Sequence, residues 1–347
     1  MKRLSHLWQR LKYRVTEPVK EARFRRSITH IHGPQVLDVA PDDVVLLAPV
    51  QNGSYYLDTF FAHYRAMGVK HFVFLDNGST DDTLDRIRAE PGTVIDHCPL
   101  PLGAYEHMMR GYLAQTYGQN RWCLYVDMDE ILDFEGRERH GIQALTRYMA
   151  AQGHTAMMAQ MLEMFPKAPL AEVADLAFDR VQEEFSYYDI STLTRYGYHA
   201  PDNPLADLLI ENEVTNPDIP FCFGGVRGKV FGEDCCLTKH PLIFNGPGVT
   251  PAPHPHLSKG VRCSDLTVVL KHYKFANDPR GRDAASLQGG VLGHGEDEKR
   301  ASRMGADPAL TLFSLDARPW NRVALLRRAG FLQGSAAYDR FVEEGAP

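Results

Sequence analysis

Five apolar residues, Trp122–Val126 (WCLYV), run without interruption into Asp127-Met128-Asp129-Glu130, and the apolar pair Ile131-Leu132 follows. A short continuous apolar run fits a strand buried on both faces, although periodicity alone allows a buried helix equally well. Read as a strand, it carries its acids at the carboxyl end, where open α/β sheets bind ligands. Asp127 and Asp129 are two residues apart, so on an extended segment both side chains point the same way. Two carboxylates on one side make a hard oxygen site suited to Mg²⁺ or Mn²⁺, with diphosphate oxygens completing the shell. The plainer alternative is a solvated acidic turn after a strand.

The rest of the chain gives that strand a setting. Residues 42–50 (DDVVLLAPV) read as a first core strand, followed by the turn Gln51-Asn52-Gly53-Ser54. Leu57, Phe60, Phe61 and Tyr64 then recur at helical spacing until Gly68 stops the pattern. Residues 71–75 (HFVFL) form a second strand ending in the polar cluster 76–82, with a helix expected from about Thr83. A short strand at 94–97 and a helix over 104–117 lead to the central strand at 121–126. Strand and helix alternating in this order imply a mostly parallel sheet flanked by helices, with right-handed crossovers. The turns at 51–54 and 76–82 both follow strands, so they share an edge with the acidic cluster.

Beyond residue 140 the pattern loosens. A helix is expected over 141–152 and a Met-rich strand over 155–165, whose Met161 and Met164 read as core filler. The Pro- and Asn-rich stretch 199–220 reads as a mobile loop, and 221–231 (FCFGGVRGKVF) as a strand-turn-strand hairpin turning at Gly224-Gly225. Residues 265–274 form a late strand carrying His272, 277–300 an exposed connection, and 309–342 a C-terminal helical extension. The expected organisation is a basic N-terminal segment over 1–40, an α/β domain over 41–275, and a C-terminal connection with helices over 276–347.

Composition narrows the partners. The 347-residue chain is 44% hydrophobic, enough for a large core, and its net charge of −6 gives no electrostatic case for nucleic acid. Residues 1–26 hold nine Lys and Arg against two acids, a net +7 that leaves −13 for the remainder. Leu4, Leu7, Trp8, Leu11 and Val15 give this segment an amphipathic helical spacing. It reads either as a helix lying on an anionic membrane surface or as one docked on the protein itself. No apolar stretch approaches the roughly 20 residues that cross a bilayer, and no secretory signal is evident. The six cysteines include no C-x-x-C pair and read as reduced thiols, which together indicate a cytoplasmic protein, peripheral on the membrane if the basic segment binds it.

With both polar clusters in view, residues 44–275 resemble the family 2-like nucleotide-sugar glycosyltransferases of GT-A fold, a Rossmann-like α/β fold. The resemblance is to a bacterial subgroup with a D-N-x-S-T-D-x-T motif, here Asp76–Thr83, and a D-x-D-E motif, here Asp127–Glu130. The segments 224–227 (GGVR) and 270–275 (LKHYKF) also look like this subgroup. The resemblance implies that Asp76 contacts the donor base or ribose, that Asp127 binds ribose or the metal or its water, and that Asp129 and His272 ligate Mn²⁺ or Mg²⁺. Relatives usually carry Arg-Asn-Glu in the first loop, where this chain has Gln51-Asn52-Gly53, so nucleotide contact there falls to Asn52 and backbone groups.

The implied chemistry passes a sugar from a nucleotide-diphosphate donor to a glycan or lipid-linked acceptor. A divalent metal stabilises the diphosphate leaving group as a Lewis acid, and an inverting reaction needs a base beside the acceptor hydroxyl. Glu130 is the weakly favoured catalytic acid, against a plainer role capping the next turn; Glu163, Glu183, Glu184 and Asp189 are rivals without distinguishing context. Arg227 and Lys229 are candidates for phosphate or an anionic acceptor, with a solvated basic hairpin as the alternative. Lys239 and Lys271 follow with less support, and His254 and His256 at i, i+2 read as a metal pair or as surface loop histidines. Two other function classes stay open: a metal-dependent nucleotidyltransferase using the same acids, and a degenerate transferase fold serving as a glycan-binding or scaffold protein.

Overall fold

Strands covered on both faces send alternate residues into two different cores, and the first half of the chain does this throughout. The computed structural model describes residues 17–289 and 295–344. In it, β1 (Thr29–His32), β2 (Val44–Val50), β3 (His71–Asp76), β4 (Thr93–His97) and β5 (Trp122–Tyr125) form one side of the sheet. β2 to β5 are parallel, and β1 closes the edge antiparallel to β4. Val44, Leu46 and Ala48 enter one core with α2 (Leu57–Ala66), whereas Val45 and Leu47 enter the other with α4 (Leu102–Tyr117). Helix α1, over 17–27, lies on the α4 side, where Phe24 meets Tyr105 and Tyr112. Helix α3 (Thr83–Ala89) links β3 to β4.

The second half builds the site by reversing one strand. After β6 (Glu130–Asp133), α5 (Arg137–Ala151) and β7 (Ala156–Glu163), three short strands follow: β8 (Tyr187–Tyr188), β9 (Leu193–Tyr196) and β10 (Glu213–Val214). Next come β11 (Phe221–Gly224), β12 (Thr238–Phe244), the ribbon β13 (Thr250–His254) with β14 (Leu257–Lys259), β15 (Arg262–His272) and β16 (Arg318–Pro319). The large sheet has the order β1-β4-β3-β2-β5-β12-β7-β15-β10, with β6 also paired to β15. β12 is antiparallel to both β5 and β7, and β15 is parallel to β7. The carboxyl ends of β2, β3, β5, β7 and β15 therefore meet the amino end of β12 along one edge. The result is an α/β protein with a large mixed sheet flanked by helices.

Several expectations for the later chain need correction. Residues 221–231 are not a hairpin: β11 pairs with β9, and positive φ at Gly224 and Gly225 turns the chain into α8 (Gly225–Phe231). The 199–220 stretch contains a short helix, α7 (Ala206–Leu209), after α6 (Phe178–Glu184). Buried Asn203 and Asn212 pin it, the latter bonding Tyr198 and the Ser258 carbonyl. The expected exposed connection at 277–300 contains α9 (Pro279–Gly289) and the start of α10 (Glu296–Ala306). Arg300, 2% exposed, fastens them by pairing with Asp283 and Glu233. Helix in 309–342 is confined to α11 (Val323–Arg328) and the part of α12 (Ala336–Glu343) up to residue 342, and β16 pairs with β8 ahead of α11. Leu310, Leu326, Phe331 and Tyr338 bury into the same core as α2 and α5.

Residues 1–16, which carry most of the expected membrane-facing segment, lie outside the described residues. Among the described residues no helix is long and apolar enough to cross a membrane. All six cysteines are free.

Candidate active site

The two polar turns after β2 and β3 hold each other. Val50 and Asp76 are register partners at the strand ends. Asp76 is 1% exposed and accepts the amides of Gly78 and Ser79 at 3.0 and 2.9 Å, with His97 Nδ1 at 2.7 Å. Burial alone would raise its pKa, but the bonds from Ser79, His97 and Gly78 hold it below the usual carboxylate value. Asn52, in the left-handed region at φ 51°, donates its amide to Ser79 Oγ and accepts the Thr80 amide on its own Oδ1. Asp76 and Asn52 thus shape the turns, and their neighbours Asn77 and Gln51 line the adjoining cavity. A Cβ at Gly53 would sit 2.7 Å from Val50 Cγ2, so a larger residue there would have to displace the Val50 side chain.

The D-x-D-E segment is a turn rather than the extended strand end expected from its spacing. β5 stops at Tyr125, the Glu130 amide donates to the Asp127 carbonyl at 3.1 Å, and β6 then leaves antiparallel to β15. The two aspartates consequently face different partners. Asp127 takes Arg110 Nη2 on Oδ1 at 2.8 Å and faces Lys239 Nζ with Oδ2 at 3.4 Å. Glu130, 1% exposed, has both oxygens 2.7 Å from Lys239 Nζ, and its Oε2 accepts the Asp127 amide at 2.8 Å. Burial tends to raise both carboxyl pKa values; Arg110 and Lys239 reverse that for Asp127, whereas Glu130 stays raised. Glu130 therefore closes the turn and clamps Lys239, which is the cap-like role rather than that of a free catalytic acid.

Asp129 faces the other way. Its Oδ2 lies 3.4 Å from His272 Nε2, and His272 Nδ1 is 2.9 Å from Glu163 Oε1. β15 makes this meeting: His272 is opposite Glu163 on β7 and Glu130 on β6, and the Tyr273 amide donates to the Asp129 carbonyl. Against the effect of burial, Glu163 and Asp129 raise the imidazole pKa to about 9, and ligation through Nε2 would require that nitrogen to give up its proton. Among the described residues no three His, Cys, Asp or Glu side chains form a metal cage. The donor set does fit a two-point cradle: a carboxylate oxygen and an imidazole nitrogen face each other, with Glu163 orienting the ring from behind. Mg²⁺ is ordinarily bound by one or two carboxylates plus substrate phosphates.

These groups surround one cavity of about 420 Å³, within the usual range for small-molecule sites. Asp127, Asp129, Glu130, His272 and Arg227 of the expected set line it, joined by His256. Arg227 reaches it already engaged by Glu163, Glu233 and Glu296. Lys229 turns instead to Asp189 at 2.8 Å and Asp316 at 2.9 Å, which separates it from its expected phosphate or acceptor role. Lys271 lies over the Trp320 ring and pairs with Asp133. His254 Nδ1 accepts the amide of His256, whose own Nδ1 faces the Thr238 carbonyl.

Sequence reading missed Arg110, Lys274, Arg282 and Glu296, all of which line the cavity. Two had a usable signal. Leu102, Glu106 and Arg110 recur every four residues on α4, and Lys274 stands two residues after His272. Arg282 and Glu296 had none, because the helices carrying them were read as an exposed connection.

No protein-family model and no curated protein matches the chain. A solved structure, HddC from Yersinia pseudotuberculosis, aligns over 40% of this chain and 65% of its own at 11% identity, with a TM-score of 0.24. The chain thus spans less than two thirds of that protein, and a likeness so slight identifies neither family nor activity.

Proposed function

We propose that this protein is a metal-dependent glycosyltransferase of GT-A fold that moves a sugar from a nucleotide-diphosphate donor to a glycan or lipid-linked acceptor. The observation that carries the reading is the meeting of Asp129 on the turn after β5 with His272 at the end of β15, at the mouth of a cavity on the carboxyl edge of the parallel strands. That edge is where α/β sheets seat nucleotides. Asp129 and His272 would hold Mn²⁺ or Mg²⁺, and the metal, when bound, would stabilise charge developing on the diphosphate. Glu163 fixes the His272 ring, and Arg110 and Lys239 hold Asp127 and Glu130 so that the turn presents Asp129. Gln51 and Asn77 line the cavity beside the two interlocked turns and would face the nucleotide.

Calorimetric titration with UDP and GDP, with and without Mn²⁺, tests the reading. One of the two nucleotides should bind in a metal-dependent manner, and Asp129→Ala should remove that dependence. Absence of metal-dependent nucleotide binding, or binding indifferent to Asp129→Ala, would sink it.

A further inference from the structure

Two of the four Lys and Arg side chains that line this cavity are already matched, as is Lys239 near it. Arg110 has Glu106 and Asp127, Arg227 has three carboxylates, and Lys239 behind the D-x-D turn has Asp127 and Glu130. Lys274 and Arg282 also line the cavity, yet neither has a carboxylate partner among the described residues. Arg282 donates from Nη1 to the Tyr56 hydroxyl at 3.3 Å and from Nη2 to the Lys274 carbonyl, both neutral acceptors. Its Nε is buried without any partner. The Asp129 carboxylate, already facing His272, acts on both residues and Glu163 acts on Lys274, while Arg227 and Arg300 add like charge around Lys274.

Lys274 and Arg282 are half-buried, and desolvation penalises a cation that has no opposite charge paired with it. Two such groups tied together through the Lys274 carbonyl, facing one cavity beside Asp129 and His272, call for an anion. We infer that Lys274 and Arg282 form an oxyanion subsite that takes a phosphate of the donor's diphosphate beside the Asp129–His272 cradle. An ammonium and a guanidinium together suit phosphate oxygens better than a single planar carboxylate. The inference rests on the proposed glycosyltransfer for the identity of the donor, and on the unmatched charges alone for the anion subsite.

The test uses the full chain in EDTA, so that no divalent metal contributes. Calorimetry with inorganic pyrophosphate should show binding that weakens about tenfold or more in Lys274→Met and in Arg282→Met, the loss expected for one charge-assisted bond. Lys274→Arg should keep most of it. Because Lys274→Met removes an unmatched cation, it should melt no lower than wild type, which separates a ligand-binding role from a merely structural one. Parallel titrations with UDP, GDP and the parent nucleosides identify the source of the phosphate: nucleoside diphosphate affinity should fall with Lys274→Met and nucleoside affinity should not. If Lys274→Met and Arg282→Met hold pyrophosphate as well as wild type does, the subsite is overturned. A pyrophosphate loss with nucleoside diphosphate affinity unchanged overturns its assignment to the donor. Lys274-dependent pyrophosphate binding without Mn²⁺-dependent nucleotide binding supports the subsite while removing the glycosyltransfer reading.

Discussion

Asp127 and Asp129 are separated by one residue and end in opposite surroundings. On the Asp127 side, Arg110, Lys239 and Glu130 form a closed set in which each charged group touches an opposite charge. On the Asp129 side, His272 is shared between Asp129 and Glu163, and Lys274 and Arg282 line the cavity with no carboxylate partner among the described residues. A closed set holds a turn in place; under the proposed function, the open set is where a ligand would bind. The motif thus divides its labour: Asp127 and Glu130 position, and Asp129 presents.

The sharpest way to break this comparison is to open the closed side. Lys239 is 1% exposed, and Lys239→Met would leave buried Glu130 beside half-buried Asp127 with Arg110 as their remaining cation. Removing one partner of a buried ion pair typically costs about 3–5 kcal/mol. Urea denaturation should show a loss of that size, and the double variant Lys239→Met/Glu130→Gln should recover part of it. A cost below about 1 kcal/mol would mean that the set is less buried than described.

A matched pair of substitutions sharpens the contrast. Asp127→Asn weakens charged bonds to Arg110 and Lys239, so it should cost about 1.5–3 kcal/mol of stability in the same assay. Asp129→Asn should instead lower Mn²⁺ affinity, read by electron paramagnetic resonance, at least about tenfold, with the smaller stability change of the two. If the two variants exchange these phenotypes, the division of labour is reversed.

How much of this could be read before the fold was known depends on how far apart the partners lie. The alternation of strands and helices up to Val126 was legible because each apolar run is covered on both faces and ends in polar turn residues. The paired polar turns and the meeting of the D-x-D segment with His272 followed from the same pattern and the family resemblance. The turn at Asp127–Glu130 was open only as the plainer alternative to an extended end, because what bends it is a side chain returning to an amide three residues back, braced by Lys239 from 109 residues downstream of Glu130. α9 and α10 were hidden for a similar reason. Their strongest anchor is Arg300 on Asp283 and Glu233, a set of ion pairs 17 and 67 residues long in sequence that leaves no hydrophobic signature. The hairpin expected at 221–231 failed on its glycines: a Gly-Gly pair serves a strand-to-helix corner as well as a two-residue turn.

The finest test of the two sides compares two tyrosine hydroxyls. Tyr64 is fully buried; its hydroxyl donates to the Glu130 carbonyl at 2.9 Å and accepts the Leu132 amide at 3.2 Å, bracing the strand that leaves the closed turn. Tyr56, 5% exposed, accepts from Arg282 on the open side. Tyr64→Phe leaves a buried carbonyl and a buried amide without this partner, which should cost about 1–3 kcal/mol. Tyr56→Phe frees a guanidinium nitrogen that already borders the cavity, where water or a bound anion can replace the lost bond. Its cost should therefore stay under about 1 kcal/mol, and thermal melting of the two variants side by side reads the difference directly. Equal losses would show that the open side is as dry as the closed one, and the surplus charge there would then need a protein partner rather than a ligand.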